Sequence, residues 1–154
     1  MKGLIALPFL FGCATSPEAP TSNATLSGAP TVVHARVDHG VVNYGGALLT
    51  RWTVTLSPTE GCVSEAAASI EINSLSSMTA LATGTVPLRA AQATVDTLPS
   101  AFLTYQDATL TSGTVTIDAA SEAFVSGSLS AQVTLAGAPT TLTATFGSPV
   151  CAAP

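Results

Sequence analysis

Charge is the scarcest property of this chain. Asp, Glu, Lys and Arg supply 8% of its 154 residues, where a typical soluble protein carries about 25%. Lysine is absent after Lys2, which removes a Schiff-base nucleophile, a Ser–Lys dyad and a P-loop lysine together. Three arginines, Arg36, Arg51 and Arg89, then stand against nine acids. No basic patch exists to neutralise phosphates, so nucleic acid is excluded as a partner. The same deficit excludes electrostatic docking on anionic lipid. Histidine occurs only at His34 and His39, and aromatic residues make up 5%. A carbohydrate platform would need several exposed rings, and Trp52 is placed by its neighbours on an inward strand face. G-x-S-x-G, H-E-x-x-H and G-x-G-x-x-G are all missing.

Long apolar runs are also few. Lys2 is followed by Leu4–Phe11 (LIALPFLF), the size of a signal-peptide core and far too short to span a bilayer. The run stops at Leu10-Phe11-Gly12-Cys13, which resembles the lipobox of bacterial lipoproteins. That resemblance implies cleavage after Gly12 and lipid on Cys13, with acyl CH₂ groups contributing roughly 0.8 kcal/mol each to anchoring. Ala14 and Thr15 differ from the aspartate-type retention signal, so the resemblance implies the outer membrane. The competing reading is an ordinary core cysteine, which Pro8 and the polar stretch after Cys13 oppose.

Three regions follow: a signal peptide over 1–12, the lipidated Cys13 with a tether over 13–31, and one β domain over 32–154. The tether (ATSPEAPTSNATLSGAPT) lacks apolar periodicity and can reach at most ~60 Å at ~3.3 Å per residue. With Cys13 lipidated, Cys62 and Cys151 are left as a pair in an oxidising compartment. A disulfide between them would close a loop of about 90 residues, worth ~4–5 kcal/mol on the chain-entropy description. Two buried free thiols are the alternative.

Period-two alternation runs through the remainder, and hydrophobic residues make up 47% of the chain. Val33, Ala35 and Val37 face one way, His34, Arg36 and Asp38 the other. Leu48, Thr50, Trp52, Val54 and Leu56 form the next inward set. Ser64–Ala68 (SEAAA) is the only stretch suited to a helical turn. Ile70 and Ile72 open another strand, and Ala80, Ala82, Gly84 and Val86 lead to Pro87, at an edge or a strand end. Arg89–Gln106 is hard to read, with Val95 and Leu98 as core candidates. Val115 and Ile117, then Val125–Leu135 in alternation, then Leu142, Ala144 and Phe146 are separated by turns at Asp118–Glu122 and Gly137–Pro139. About eight antiparallel strands with little or no helix predict an all-β fold, a β-sandwich or alternatively a β-barrel.

"SGTVTI" (Ser112–Ile117), "VSGSLSA" (Val125–Ala131) and "LTATFGSPVC" (Leu142–Cys151) resemble the C-terminal module of β-rich bacterial lipoproteins. "TGTVPL" (Thr83–Leu88) is similar to the segment upstream in that group. These motifs are structural, and the resemblance transfers no catalytic residue.

His34-Ala35-Arg36-Val37-Asp38-His39 is the one polar constellation. His34 and Asp38 share a strand face but lie about 13 Å apart at ~3.3 Å per residue, too far for one metal. Glu60 and Glu65 flank Cys62, Asp96 and Asp107 sit in loops, and Asp118 and Glu122 bracket a turn without a calcium-loop pattern. No metal and no cofactor is expected. The composition points to a non-enzymatic interaction or structural module of the cell envelope. The alternative is a carrier of a lipid or other small apolar ligand. Small residues at Ala80, Ala82, Gly84, Gly127, Ala131 and Ala144 would leave room for one, or would let sheets pack closely.

Overall fold

The computed structural model describes residues 22–27, 34–59, 66, 68–75, 81–90 and 98–151. Cys13, Cys62, Glu60, Glu65, Asp96, Val33, Ala80 and Val95 lie outside these, as does the signal segment. Nine strands fill most of the described chain: β1 (Asn23–Leu26), β2 (His34–Tyr44), β3 (Ala47–Ser57), β4 (Ala68–Leu75), β5 (Gly84–Arg89), β6 (Ser100–Tyr105), β7 (Thr109–Ala120), β8 (Phe124–Leu135) and β9 (Ala138–Pro149). No helix occurs among the described residues; of the helical turn expected at Ser64–Ala68 only Ala66, outside any element, and Ala68, which opens β4, are described.

The strands form one sheet in the order β1-β9-β8-β7-β5-β6-β4-β3-β2, antiparallel throughout except at β5/β6. Its strong curl brings the two flanks together. Val37 of β2 bridges Val150, and the Cys151 amide donates to the Val37 carbonyl at 2.7 Å. The all-β expectation holds, realised as one strongly curled, half-barrel sheet.

β5 makes the corner. Gly84–Pro87 pair with β7, whereas Leu88 and Arg89 pair with β6. Pro87, which has no N–H to give, sits where the strand leaves one partner for another, a position where the missing donor costs least.

β1, one strand more than the eight expected, corrects the tether boundary. Asn23–Leu26, expected to be solvated, pair with Ala144–Gly147 of β9, burying Ala24 and Leu26 while Asn23 and Thr25 stay outside. Four residues hold only two inward positions, too few for a period to register.

Val37, Trp52, Val54, Leu56, Ile70, Ile72, Val115, Val125 and Leu142 are fully buried in a core fed by both halves of the sheet. The segments "TGTVPL", "SGTVTI", "VSGSLSA" and "LTATFGSPVC" map onto β5, β7, β8 and β9, four successive neighbours. In β7, β8 and β9 the inward residues match the expected alternation, and Leu135 is half-buried at the strand end.

The turns differ in detail. β8 and β9 are joined by Ala136 and Gly137, at φ 49° and 82°, so Ala138 and Pro139 already belong to β9. Two successive positive φ values match the right-handed twist of a two-residue hairpin. Alanine resists that conformation, so Ala136→Gly is expected to stabilise the fold by about 0.5–1 kcal/mol, read as a raised urea midpoint. At the other end of β8, β7 continues through a bulge at Asp118 to Ala120, and Ser121 closes the turn. Its Oγ accepts the amides of Ala123 and Phe124 at 3.2 and 3.0 Å.

Candidate functional site

The polar constellation disperses on β2. His34, Arg36 and Asp38 share the outer face as expected, but Asp38 is engaged by Arg36, Nε to Oδ2 at 2.7 Å. Both side chains are about 30% exposed, so the pair contributes at most about 1 kcal/mol. His34 Nδ1 lies 3.5 Å from Ser22 Oγ, which ties the incoming chain to the start of β2. His39 turns to the opposite face and stacks on Trp52, ring centroids 4.5 Å apart and tilted by 33°. The two histidines therefore do not converge. Asp107 sits within a tight turn over Tyr105–Ala108, closed by the Ala108 amide donating to the Tyr105 carbonyl, and Asp118 and Glu122 are exposed. Among the described residues no three His, Cys, Asp or Glu side chains come close enough to hold a metal ion.

Trp52 is 0% exposed, on the inward face where its neighbours placed it. Its Nε1 finds no hydrogen-bond partner among the described residues. Cys151 is half-buried beside β2; Cys62 lies three residues beyond Thr59, the last described residue after β3.

The expected inward role of the small residues divides. Gly127, Ala131 and Ala144 are buried, and at Gly127 the space is already taken. A Cβ there would collide with the Thr116 carbonyl oxygen and lie 2.8 Å from Phe146 Cζ. Close packing has won in the β7–β8–β9 half. Ala82 and Gly84, expected inward, are exposed because they precede or begin β5, where the sheet wall is incomplete.

Room exists elsewhere. A cavity of about 400 Å³ opens at the end of the β4–β5–β6 wall. Ile72 and Ser74 of β4 form its back, Leu81, Ala82 and Val86 one side, Leu98 and Pro99 the other. Leu98, expected in the core, is 36% exposed because it faces this opening. Among the described lining residues the one side-chain hydroxyl, on Ser74, donates to the Thr50 carbonyl at 3.4 Å. Pockets of roughly 300–1,000 Å³ are the size that ordinary small ligands occupy.

No protein family, curated protein or solved structure matches the chain.

The chemistry of the site must therefore be read from its own residues. Beside the cavity, the β2–β3 hairpin runs past its neighbour: β4 ends at Leu75, opposite Leu49, whereas β2 and β3 continue to a turn at Gly45–Gly46. Leu48, expected inward, is 58% exposed on this extension, and Val41 is 65% exposed. Each forgoes a large part of the roughly 1.5–3 kcal/mol that full burial of such a side chain provides. From Gly40 to Thr50 there is no charged residue. None of this was signalled by a motif. The apolar pair Leu48-Leu49 fits either phase of alternation, and Leu81 and Leu98 lie in segments without a readable period.

Proposed function

We propose that this chain is a cell-envelope lipoprotein, anchored in the outer membrane by lipid on Cys13, with a non-enzymatic β domain that acts as an interaction or structural module. The lipobox-like Leu10-Phe11-Gly12-Cys13 carries the anchoring half of this reading. The dispersal of the His34–His39 constellation supports the non-enzymatic half, since His34 and His39 face opposite sides of β2 and Asp38 is held by Arg36. Catalysis by proton transfer needs such groups to converge on one reacting atom.

The test is metabolic labelling with a tagged fatty acid followed by membrane fractionation. The wild-type chain should carry the label and sediment with outer membrane. Cys13→Ser should carry none and be lost from that fraction; label retained in Cys13→Ser would refute the anchor.

Cys62 and Cys151 form the disulfide in this reading. Cys151 lies beside Val37, whose β3 partner Val54 is three residues before the end of that strand, and Cys62 follows soon after. In unfolded Cys13→Ser chain, no thiol should react before reduction and two after it. Two reactive thiols without reductant would exclude the bond.

A second reading, carriage of a small apolar ligand, is favoured by one observation: the 400 Å³ cavity walled by Ile72, Leu81, Val86 and Leu98. Native mass spectrometry of protein released from membranes should then show a co-purifying apolar adduct.

A further inference from the structure

We propose that this cavity is the inner half of a longer binding track for one unbranched aliphatic chain, whose outer half is the inner face of the β2–β3 hairpin at Val41 and Leu48. The inference rests on the apolar-ligand reading above. Residues paired across antiparallel strands share a face. Val41 pairs with Thr50, and Thr50 with Ser74, so the three make one row across β2, β3 and β4 that ends in the cavity wall. With strands ~4.8 Å apart, that row is about 10 Å wide. Leu48 stands two residues beyond Thr50 on the same face of β3.

The exposure pattern agrees. Four large hydrophobic side chains are exposed among the described residues: Val41, Tyr44, Leu48 and Leu98. Val41 and Leu48 lie on this row and its continuation, and Leu98 lines the cavity itself. Scattered single exposures are ordinary, whereas a cluster beside a hollow marks a surface that something covers.

The chemistry of the walls selects the occupant. No charged or aromatic side chain is among the described lining residues, and the single hydroxyl is already directed to Thr50. A sugar or nucleotide entering here would give up its hydrogen bonds to water without replacement. A run of methylenes gives up none and gains from leaving water. At ~30 Å³ per small group, 400 Å³ holds about a dozen of them. A longer chain must pass out over Leu48 and Val41.

The test titrates the full chain carrying Cys13→Ser with octanoate, dodecanoate and hexadecanoate. Trp52, the only tryptophan, reports occupancy through its fluorescence because it pairs with Ile72 of the cavity wall. Affinity should rise at each step in chain length. The double variant Val41→Asn, Leu48→Asn should bind hexadecanoate about tenfold more weakly and octanoate unchanged. Its thermal midpoint should not move, because both positions are exposed. Ala82→Phe, which fills the cavity from its rim, should abolish binding of all three. If the double variant binds hexadecanoate as well as the parent does, the outer track is wrong and the cavity reading survives. If no probe binds, or Ala82→Phe changes nothing, both readings fall.

Discussion

Gly127→Ala should cost this protein about 3 kcal/mol or more, a large fraction of a small domain's stability margin. The added methyl meets the Thr116 carbonyl oxygen across the β7–β8 ladder, and the Phe146 ring of β9 closes over the same point. A flexible side chain could yield, but a ladder carbonyl can move only with its strand. The expected readout is a large fall in the urea midpoint, followed by far-ultraviolet circular dichroism. Phe146→Leu placed in the same background should not restore stability, because the nearer obstacle is backbone. A variant within 0.5 kcal/mol of the parent, or a full rescue by Phe146→Leu, would contradict this packing.

Trp52→Ala should be comparably severe, at about 3–5 kcal/mol. The indole is fully buried between Ile72 on β4 and the stacked ring of His39 on β2, and it pairs with both across the sheet. Its removal opens a void that Val54 and Val37 are too short to fill. Trp52→Phe provides the control. The Nε1 hydrogen lacks a partner among the described residues, so phenylalanine forfeits volume without breaking a hydrogen bond. That variant should cost less than half as much as alanine. Equal losses in the two variants would mean that the indole N–H holds a bond the structure does not contain.

Much of the fold could be read from the chain because its C-terminal hairpins are long and their turns short. Val115 and Ile117, then Val125 to Val133, then Leu142 to Phe146 repeat over enough positions to establish both strand and face. Asn23–Leu26 offered no such length, and its strand exists only because β9 lies alongside. The change of partner within β5 was equally hidden, since pairing is a property of the sheet and not of six residues. The site divides the same way. His34 and Asp38 were too far apart along one strand to act together, and the structure adds the Arg36 contact that occupies Asp38. The cavity was invisible because its walls come from β4 and from the approaches to β5 and β6, and the relative placement of those elements is set by tertiary pairing alone.

The contact between Ser22 and His34 also sets polarity. The polypeptide enters beside the first residue of β2, whereas the uncharged fingertip at Gly45–Gly46 lies past its last, some eleven residues or ~35 Å away. On the proposed anchoring, an acylated leash would join the domain at the pole opposite the cavity mouth, so that the mouth is not pressed against the bilayer by its own attachment. A greasy cargo, if carried, would then be within reach of a receiver in the aqueous gap.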